Sequence, residues 1–148
     1  EQHYLLSGSG GYGFITKLGD MVGRVKAGKV VMTVDSGETV LPPVAVYASS
    51  LINPDCKVVL SSSDHRLLAF SIGELKVMPK GRGLQLMSLA EDASLEHIMV
   101  TTSPEFTVVS VGRRGAEHQE KLRIADIDGK RGKKGKVLEI SGRLKSLS

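Results

Sequence analysis

Three glycine-bearing basic turns carry the residues of this chain best suited to chemistry. They are Gly23-Arg24-Val25-Lys26-Ala27-Gly28-Lys29, Pro79-Lys80-Gly81-Arg82-Gly83 and Lys130-Arg131-Gly132-Lys133-Lys134-Gly135-Lys136. Glycine tolerates positive φ and leaves backbone N–H groups unshielded, so an anion can approach closely. Lysine adds a point charge, and arginine adds a planar fork that grips two phosphate oxygens. The chemistry is therefore phosphate binding. Its candidate residues are Arg24, Lys26, Lys29, Lys80, Arg82, Lys130, Arg131, Lys133, Lys134 and Lys136, with Arg113 and Arg114 as a further basic pair.

Each turn is held between short apolar runs, and the runs repeat. Phe14-Ile15-Thr16-Lys17-Leu18-Gly19-Asp20-Met21 precedes the first turn, Leu67-Leu68-Ala69-Phe70-Ser71-Ile72-Gly73-Glu74-Leu75 the second, and Leu122-Arg123-Ile124-Ala125-Asp126-Ile127 the third. Aligned on Gly28, Gly83 and Gly135, the units are spaced 55 and 52 residues apart. The order within each is strand, acidic-plus-apolar pair, basic glycine turn, strand. Strands of ordinary length are expected over residues 3–7, 13–17, 29–34, 57–60, 66–71, 85–89, 97–101, 106–111, 121–124 and 136–140. No stretch of a dozen residues keeps a helical period; residues 89–99 come nearest, and a polar centre at Glu91-Asp92-Ala93-Ser94 breaks them. The pattern predicts an all-β fold of propeller-like repeats over residues 1–50, 51–103 and 104–148, about three blades of a partial or open array.

Charge is unevenly spread along the chain. Residues 112–148 hold 11 Lys and Arg against 5 Asp and Glu, whereas residues 1–111 hold 9 against 11. A basic C-terminal third on a slightly acidic body suits a polyanion-binding face. Basic turns repeated along one rim would follow a phosphate backbone and touch no base edges, which implies sequence-independent binding of duplex DNA. With 4% aromatic residues, mostly at strand positions expected to be core, stacking platforms for single strands or RNA are nearly missing.

Other chemistry fits poorly. One cysteine, Cys56, forms no internal disulfide and suits a reducing compartment, and His3, His65, His97 and His118 are too scattered for a structural zinc site. No apolar run is long enough to span a membrane. The chain starts at Glu1 with no leader, as an excised fragment would. Gly8-Ser9-Gly10-Gly11-Tyr12-Gly13 matches a dinucleotide glycine pattern, but strand-forming residues follow where a helix is required. The 129–136 stretch fails as a P-loop, because the glycine spacing is too long and Val137 replaces the Ser or Thr. Ser61-Ser62-Ser63-Asp64-His65 gathers triad residue types, yet adjacency favours a polar hairpin over convergent catalytic geometry.

Gly11-Tyr12-Gly13-Phe14, Val22-Gly23-Arg24-Val25-Lys26-Ala27-Gly28-Lys29, Leu41-Pro42-Pro43-Val44, Lys80-Gly81-Arg82-Gly83 and Arg131-Gly132-Lys133-Lys134-Gly135 together resemble the C-terminal domain family of bacterial topoisomerase IV A subunits. The resemblance covers essentially the whole chain and is most specific over residues 10–46. It implies a β-pinwheel, in which propeller-like blades exchange a strand with their neighbours, as in the gyrase A subunit. It further implies a cytoplasmic, nucleoid-associated module that binds and bends DNA and has no catalytic residues. Partners of the parent would be a second A subunit plus a B subunit, with ATP and Mg on other domains or the other subunit. The Gln-Arg-Arg-Gly-Gly-Lys-Gly box of gyrase is missing, which favours topoisomerase IV over the gyrase alternative. A protein-interaction propeller that recruits a chromosome-organising partner, using Leu41-Pro42-Pro43 or Leu51-Ile52, is the other reading.

Overall fold

The apolar runs fold into strands throughout the computed structural model, which describes residues 2–19, 32–140 and 142–148. In chain order the strands are β1 (His3–Ser7), β2 (Tyr12–Lys17), β3 (Val44–Val46), β4 (Lys57–Ser62), β5 (Arg66–Ser71), β6 (Leu84–Gln85), β7 (Leu95–Thr101), β8 (Glu105–Val111), β9 (Glu117–Arg123), β10 (Lys136–Val137) and β11 (Arg143–Leu147). One helical turn, α1 (Ala48–Leu51), precedes β4, and short 3-10 turns follow β5 (Ile72–Glu74) and β9 (Ile124–Asp126).

Three antiparallel sheets result, ordered β3-β1-β2-β6, β7-β4-β5-β10 and β11-β8-β9. Each is centred on a hairpin, and a later strand (β3, β7 or β11) lies on the hairpin's first strand. In the first two sheets the hairpin's second strand is covered from further along the chain. Leu84 and Gln85 of β6 pair with Gly13 and Tyr12 of β2, and Lys136 and Val137 of β10 pair with Leu67 and Arg66 of β5. The chain thus leaves one sheet to complete the one before it, then returns. The expected all-β, strand-exchanging architecture is the one observed.

Burial explains the sequence pattern of the middle sheet. On β4, Val58 and Leu60 face a core shared with Leu5, Ile15 and Val46 of the first sheet. Val59 faces a second core with Phe106, Val108 and Leu144 of the third. Both faces being covered, β4 reads as a continuous apolar run, whereas β8, covered on one face, alternates. Each fully buried Val or Leu side chain contributes about 1.5–3 kcal/mol.

Several expected elements differ. The runs at 85–89 and 136–140 shorten to the two-residue ladders β6 and β10, since beyond them the chain crosses to the next sheet. The strand expected at 121–124 extends back to Glu117, and Ile124 enters the 3-10 turn. As an edge strand with its residues largely exposed, β9 has no apolar alternation to announce it. β3 is hidden behind Pro42-Pro43, and β11 carries a bulge between Leu144 and Ser146 that disrupts its period. The strand expected at 29–34 falls partly outside the described residues; within it, Met32 makes an isolated bridge to Gly81. Of the aromatics, Phe14, Phe70 and Phe106 are core, but Tyr47 is 69% exposed just before α1.

The hairpin tips are equivalent and put the glycine-rich and Ser-Asp-His motifs in the same structural role. The backbone N–H groups of Gly11, His65 and Gly115 each donate to the carbonyl three residues back, and all three residues have positive φ, at 89°, 62° and 81°. Histidine is the costly choice there, since left-handed backbone disfavours a Cβ by about 1–2 kcal/mol. Glycine's greater freedom when unfolded offsets part of that. His65→Gly is therefore expected to stabilise the fold by about 0.5–1 kcal/mol. A denaturant midpoint that falls instead would show that the imidazole contributes more than its backbone costs.

Candidate nucleic-acid interface

The last glycine of each described basic turn serves the fold directly. Gly83 (φ +87°) precedes β6, and a Cβ there would stand 2.2 Å from the Gly13 carbonyl oxygen. Gly135 (φ +79°) precedes β10, and its Cβ would stand 2.5 Å from the Leu67 carbonyl oxygen. Each glycine lets a basic turn run straight into a strand laid against the backbone of the preceding sheet.

That geometry brings the second and third turns to one stretch of chain. Arg131 Nη1 donates to the Gln85 carbonyl at 2.7 Å, and the Arg131 backbone N–H donates to Glu74 Oε1 at 3.1 Å. Gly132 N–H donates to the Leu86 carbonyl at 2.8 Å, and Ser88 N–H donates to the Lys133 carbonyl at 2.9 Å. The 130–134 turn is therefore stapled to residues 85–88, which directly continue the 79–83 turn. Arg82 is itself held, its guanidinium carbon 4.0 Å from the centre of the Tyr12 ring and Nη2 2.9 Å from Asp35. Cation–π and ionic contacts both fix its plane.

The candidate cations separate into two groups. Lys80, Lys130, Lys133, Lys134 and Lys136 make no ion pair among the described residues, and all but Lys136 sit in turns rather than in a strand. Arg131 is half-buried and tied to protein atoms, so its first role is to hold the turn in place. Arg113 and Arg114 lie on the β8–β9 tip, beside an open cavity of about 530 Å³ lined also by His118, Ile140 and Gly142. No hydrogen bond or ion pair among the described residues joins them to the 130–134 turn. Arg24, Lys26 and Lys29 lie outside the described residues.

Sequence reading passed over Glu74, Gln85 and Tyr12, which position Arg131 and Arg82. Glu74 left a signal, as the acidic member of the pair preceding the turn. Its counterpart Asp126 pairs instead with Arg123, at 3.4 Å. In the second hairpin, Ser61 Oγ lies 3.0 Å from His97 Nδ1, and Asp64 takes Ser62 and Arg66. The Ser62 hydroxyl, aided by Arg66, holds the Asp64 carboxyl below its usual range. These contacts serve the hairpin and do not converge on His65. Among the described residues, no three His, Cys, Asp or Glu side chains cluster to hold a metal, and no helix is long and apolar enough to cross a membrane.

No family model matches the chain. It is 67% identical over 148 residues to the A subunit of DNA topoisomerase 4 from Neisseria gonorrhoeae, covering 100% of this chain and 19% of that protein. The chain belongs to the topoisomerase IV A-subunit family, in its C-terminal region. The Escherichia coli K12 relative is 28% identical over 147 residues, with 93% of this chain and 18% of that protein covered. The chain thus spans about a fifth of the length of these curated relatives. Two solved structures share its fold. The E. coli ParC C-terminal domain superposes with a TM-score of 0.82 at 23% identity, covering 100% of this chain and 60% of that one. The DNA gyrase A C-terminal domain superposes at 0.77 and 19% identity, covering 100% and 48%. This topoisomerase IV domain is accordingly a β-pinwheel of three sheets that exchange strands.

Proposed function

We propose that this domain binds duplex DNA without regard to sequence and bends it across the side bearing the 79–83 and 130–136 turns. The observation that carries the reading is the 130–134 turn, whose lysines make no ion pair among the described residues while its backbone is stapled to residues 85–88. Pre-positioned cations lose little conformational freedom on meeting phosphate, and each neutralised phosphate releases counterions. The domain contributes no catalytic residue in this reading. It steers DNA toward other domains of the same polypeptide that cleave and pass strands, in an enzyme that unlinks and relaxes DNA with ATP hydrolysed elsewhere. A second A subunit plus a B subunit complete that cytoplasmic, nucleoid-associated enzyme, and ATP and Mg bind outside this domain. We take residues 1–50, 51–103 and 104–148 as its repeat units.

The test is electrophoretic mobility of unrelated duplexes of increasing length at two salt concentrations. Binding should strengthen with length, ignore sequence and fall with a log–log salt slope of about −0.9 per phosphate contacted. Salt-insensitive binding, or none, would favour the protein-recruiting reading, for which Ile52, 86% exposed after α1, is the best anchor.

A further inference from the structure

The second and third basic turns stand at equivalent places but in unequal company. Tyr12 of β2 pairs with Gln85, and Arg66 of β5 pairs with Val137. Each pairing falls two residues after the glycine, Gly83 or Gly135, that ends a basic turn. Arg82 is therefore the counterpart of Lys134, and Tyr12 that of Arg66. Lys134 makes no ion pair among the described residues, and Arg66 is tied to Asp64. Arg82 instead lies over the Tyr12 ring and meets a carboxylate from a distant segment, with Asp35 Oδ2 2.9 Å from Nη2. Among the described residues it is the one cation of the 79–83 and 130–136 turns whose side chain has an acidic partner.

Neither group needs that contact to stay in place. The guanidinium plane rests on Tyr12, a cation–π contact that survives loss of the carboxylate. The loop bearing Asp35 is held through other atoms. Asp35 N–H donates to Glu38 Oε1 at 3.1 Å, and Glu38 N–H to the Asp35 carbonyl at 3.0 Å. Thr39 N–H donates to Ser9 Oγ at 2.9 Å, and Ser9 N–H to the Thr39 carbonyl at 2.8 Å. Asp35 and Arg82 are both exposed, so their ion pair adds little to stability and is open to exchange with other anions. Arginine's fork receives carboxylate and phosphate oxygens in the same geometry. Asp35 Oδ2 thus stands where a phosphate oxygen would.

We propose that Asp35 is an internal stand-in for a DNA phosphate on Arg82, and that the 79–83 turn engages DNA only when a phosphate of the duplex displaces it. The inference rests on the duplex-binding reading above and goes beyond it by ranking the contacts. The lysines of the 130–134 turn have no such competitor among the described residues and meet DNA first. With Asp35 in place, Arg82 holds its turn against the first sheet. With Asp35 displaced, it becomes a further phosphate contact, and the duplex follows the rim across a second sheet. Asp35 therefore sets how readily the path extends.

The experiment measures duplex affinity and its salt dependence by fluorescence anisotropy for the 148-residue chain, Asp35→Asn, Arg82→Ala and the double variant. Asp35→Asn is expected to bind about two- to fivefold more tightly at low salt, the scale of an exposed ion pair no longer to be displaced. Its log–log salt slope should steepen by about 0.9, one more phosphate neutralised. Both changes should vanish in the Arg82→Ala background, while the thermal midpoint of Asp35→Asn stays close to that of the parent. An equal gain in the Arg82→Ala background would reduce Asp35 to a matter of net charge and overturn the proposal. Weaker binding by Asp35→Asn would also overturn it, making the carboxylate a support for Arg82. Binding by the parent with no response to Asp35→Asn would sink this inference and leave the duplex-binding reading standing. Absence of binding by all four chains at low salt would sink both.

Discussion

Gly83→Ala is expected to lower the thermal midpoint by roughly 10 °C, from a loss of about 3–4 kcal/mol at about 2–4 °C per kcal/mol for a chain of this size. Two costs combine. Positive φ disfavours any Cβ by about 1–2 kcal/mol. The new atom would also lie 2.2 Å from the Gly13 carbonyl oxygen and 2.9 Å from Phe14 Cδ1. Backbone cannot step aside as a flexible side chain can, so β6 must lift from β2. Its two-residue ladder and the Leu86 bond to Gly11 are then strained together. Gly37→Ala separates the two costs, because Gly37 has φ +86° and nothing within 4 Å of its would-be Cβ. That variant should lose only about 1–2 kcal/mol. Equal midpoints for the two variants in differential scanning calorimetry would mean that close approach to the preceding sheet is not what Gly83 provides.

The second large effect concerns affinity. Replacing Lys130, Lys133 and Lys134 together by Ala should weaken duplex binding about a hundredfold near 0.1 M salt, and flatten the salt dependence by about 0.9 for each phosphate no longer neutralised. The weakening should be the same for every duplex sequence, because phosphate contacts carry no base information. Arg131 is left intact for a structural reason. Its bond to the Gln85 carbonyl holds the turn, so its removal would mix loss of charge with loss of position. The three lysines make no ion pair among the described residues, so the thermal midpoint should move by less than about 1 kcal/mol equivalent. An unchanged salt slope would place the DNA elsewhere, with Arg113 and Arg114 on the β8–β9 tip the next residues to neutralise.

How much of this was legible in the residues depends on what each part of the chain touches. The central hairpin strands were readable because burial demands apolar side chains, and β1 and β5 begin and end where the apolar runs do. Recurrence of the basic glycine turns was readable too, since Gly83 and Gly135 occupy one backbone position that tolerates no Cβ. β9 and β3 were not. The first is polar and exposed, and the second follows two prolines, so neither has the alternation that periodicity detects. For the candidate site, the charges could be named from sequence, but their division could not. Arg82 and Arg131 look like their lysine neighbours on paper, and only long-range partners such as Asp35, Tyr12 and Gln85 mark them as positioning groups. The distance along the chain between those partners is what local pattern cannot see.

The lending of β6 and β10 to earlier sheets also sets a timetable for synthesis. Gly13 pairs with Leu84 and Leu67 with Lys136, each about 70 residues downstream. At roughly 5–20 residues per second on the ribosome, the first hairpin waits several seconds for the strand that closes its edge. Each of the first two sheets finishes only when the chain of the next has begun to emerge, so completed structure trails the growing end. During that interval the outer side of β2, and later that of β5, is open to wrong partners. Loop closure over such separations is also slow in its own right. A ribosome paused between those strands would hold that side open for as long as the pause lasted.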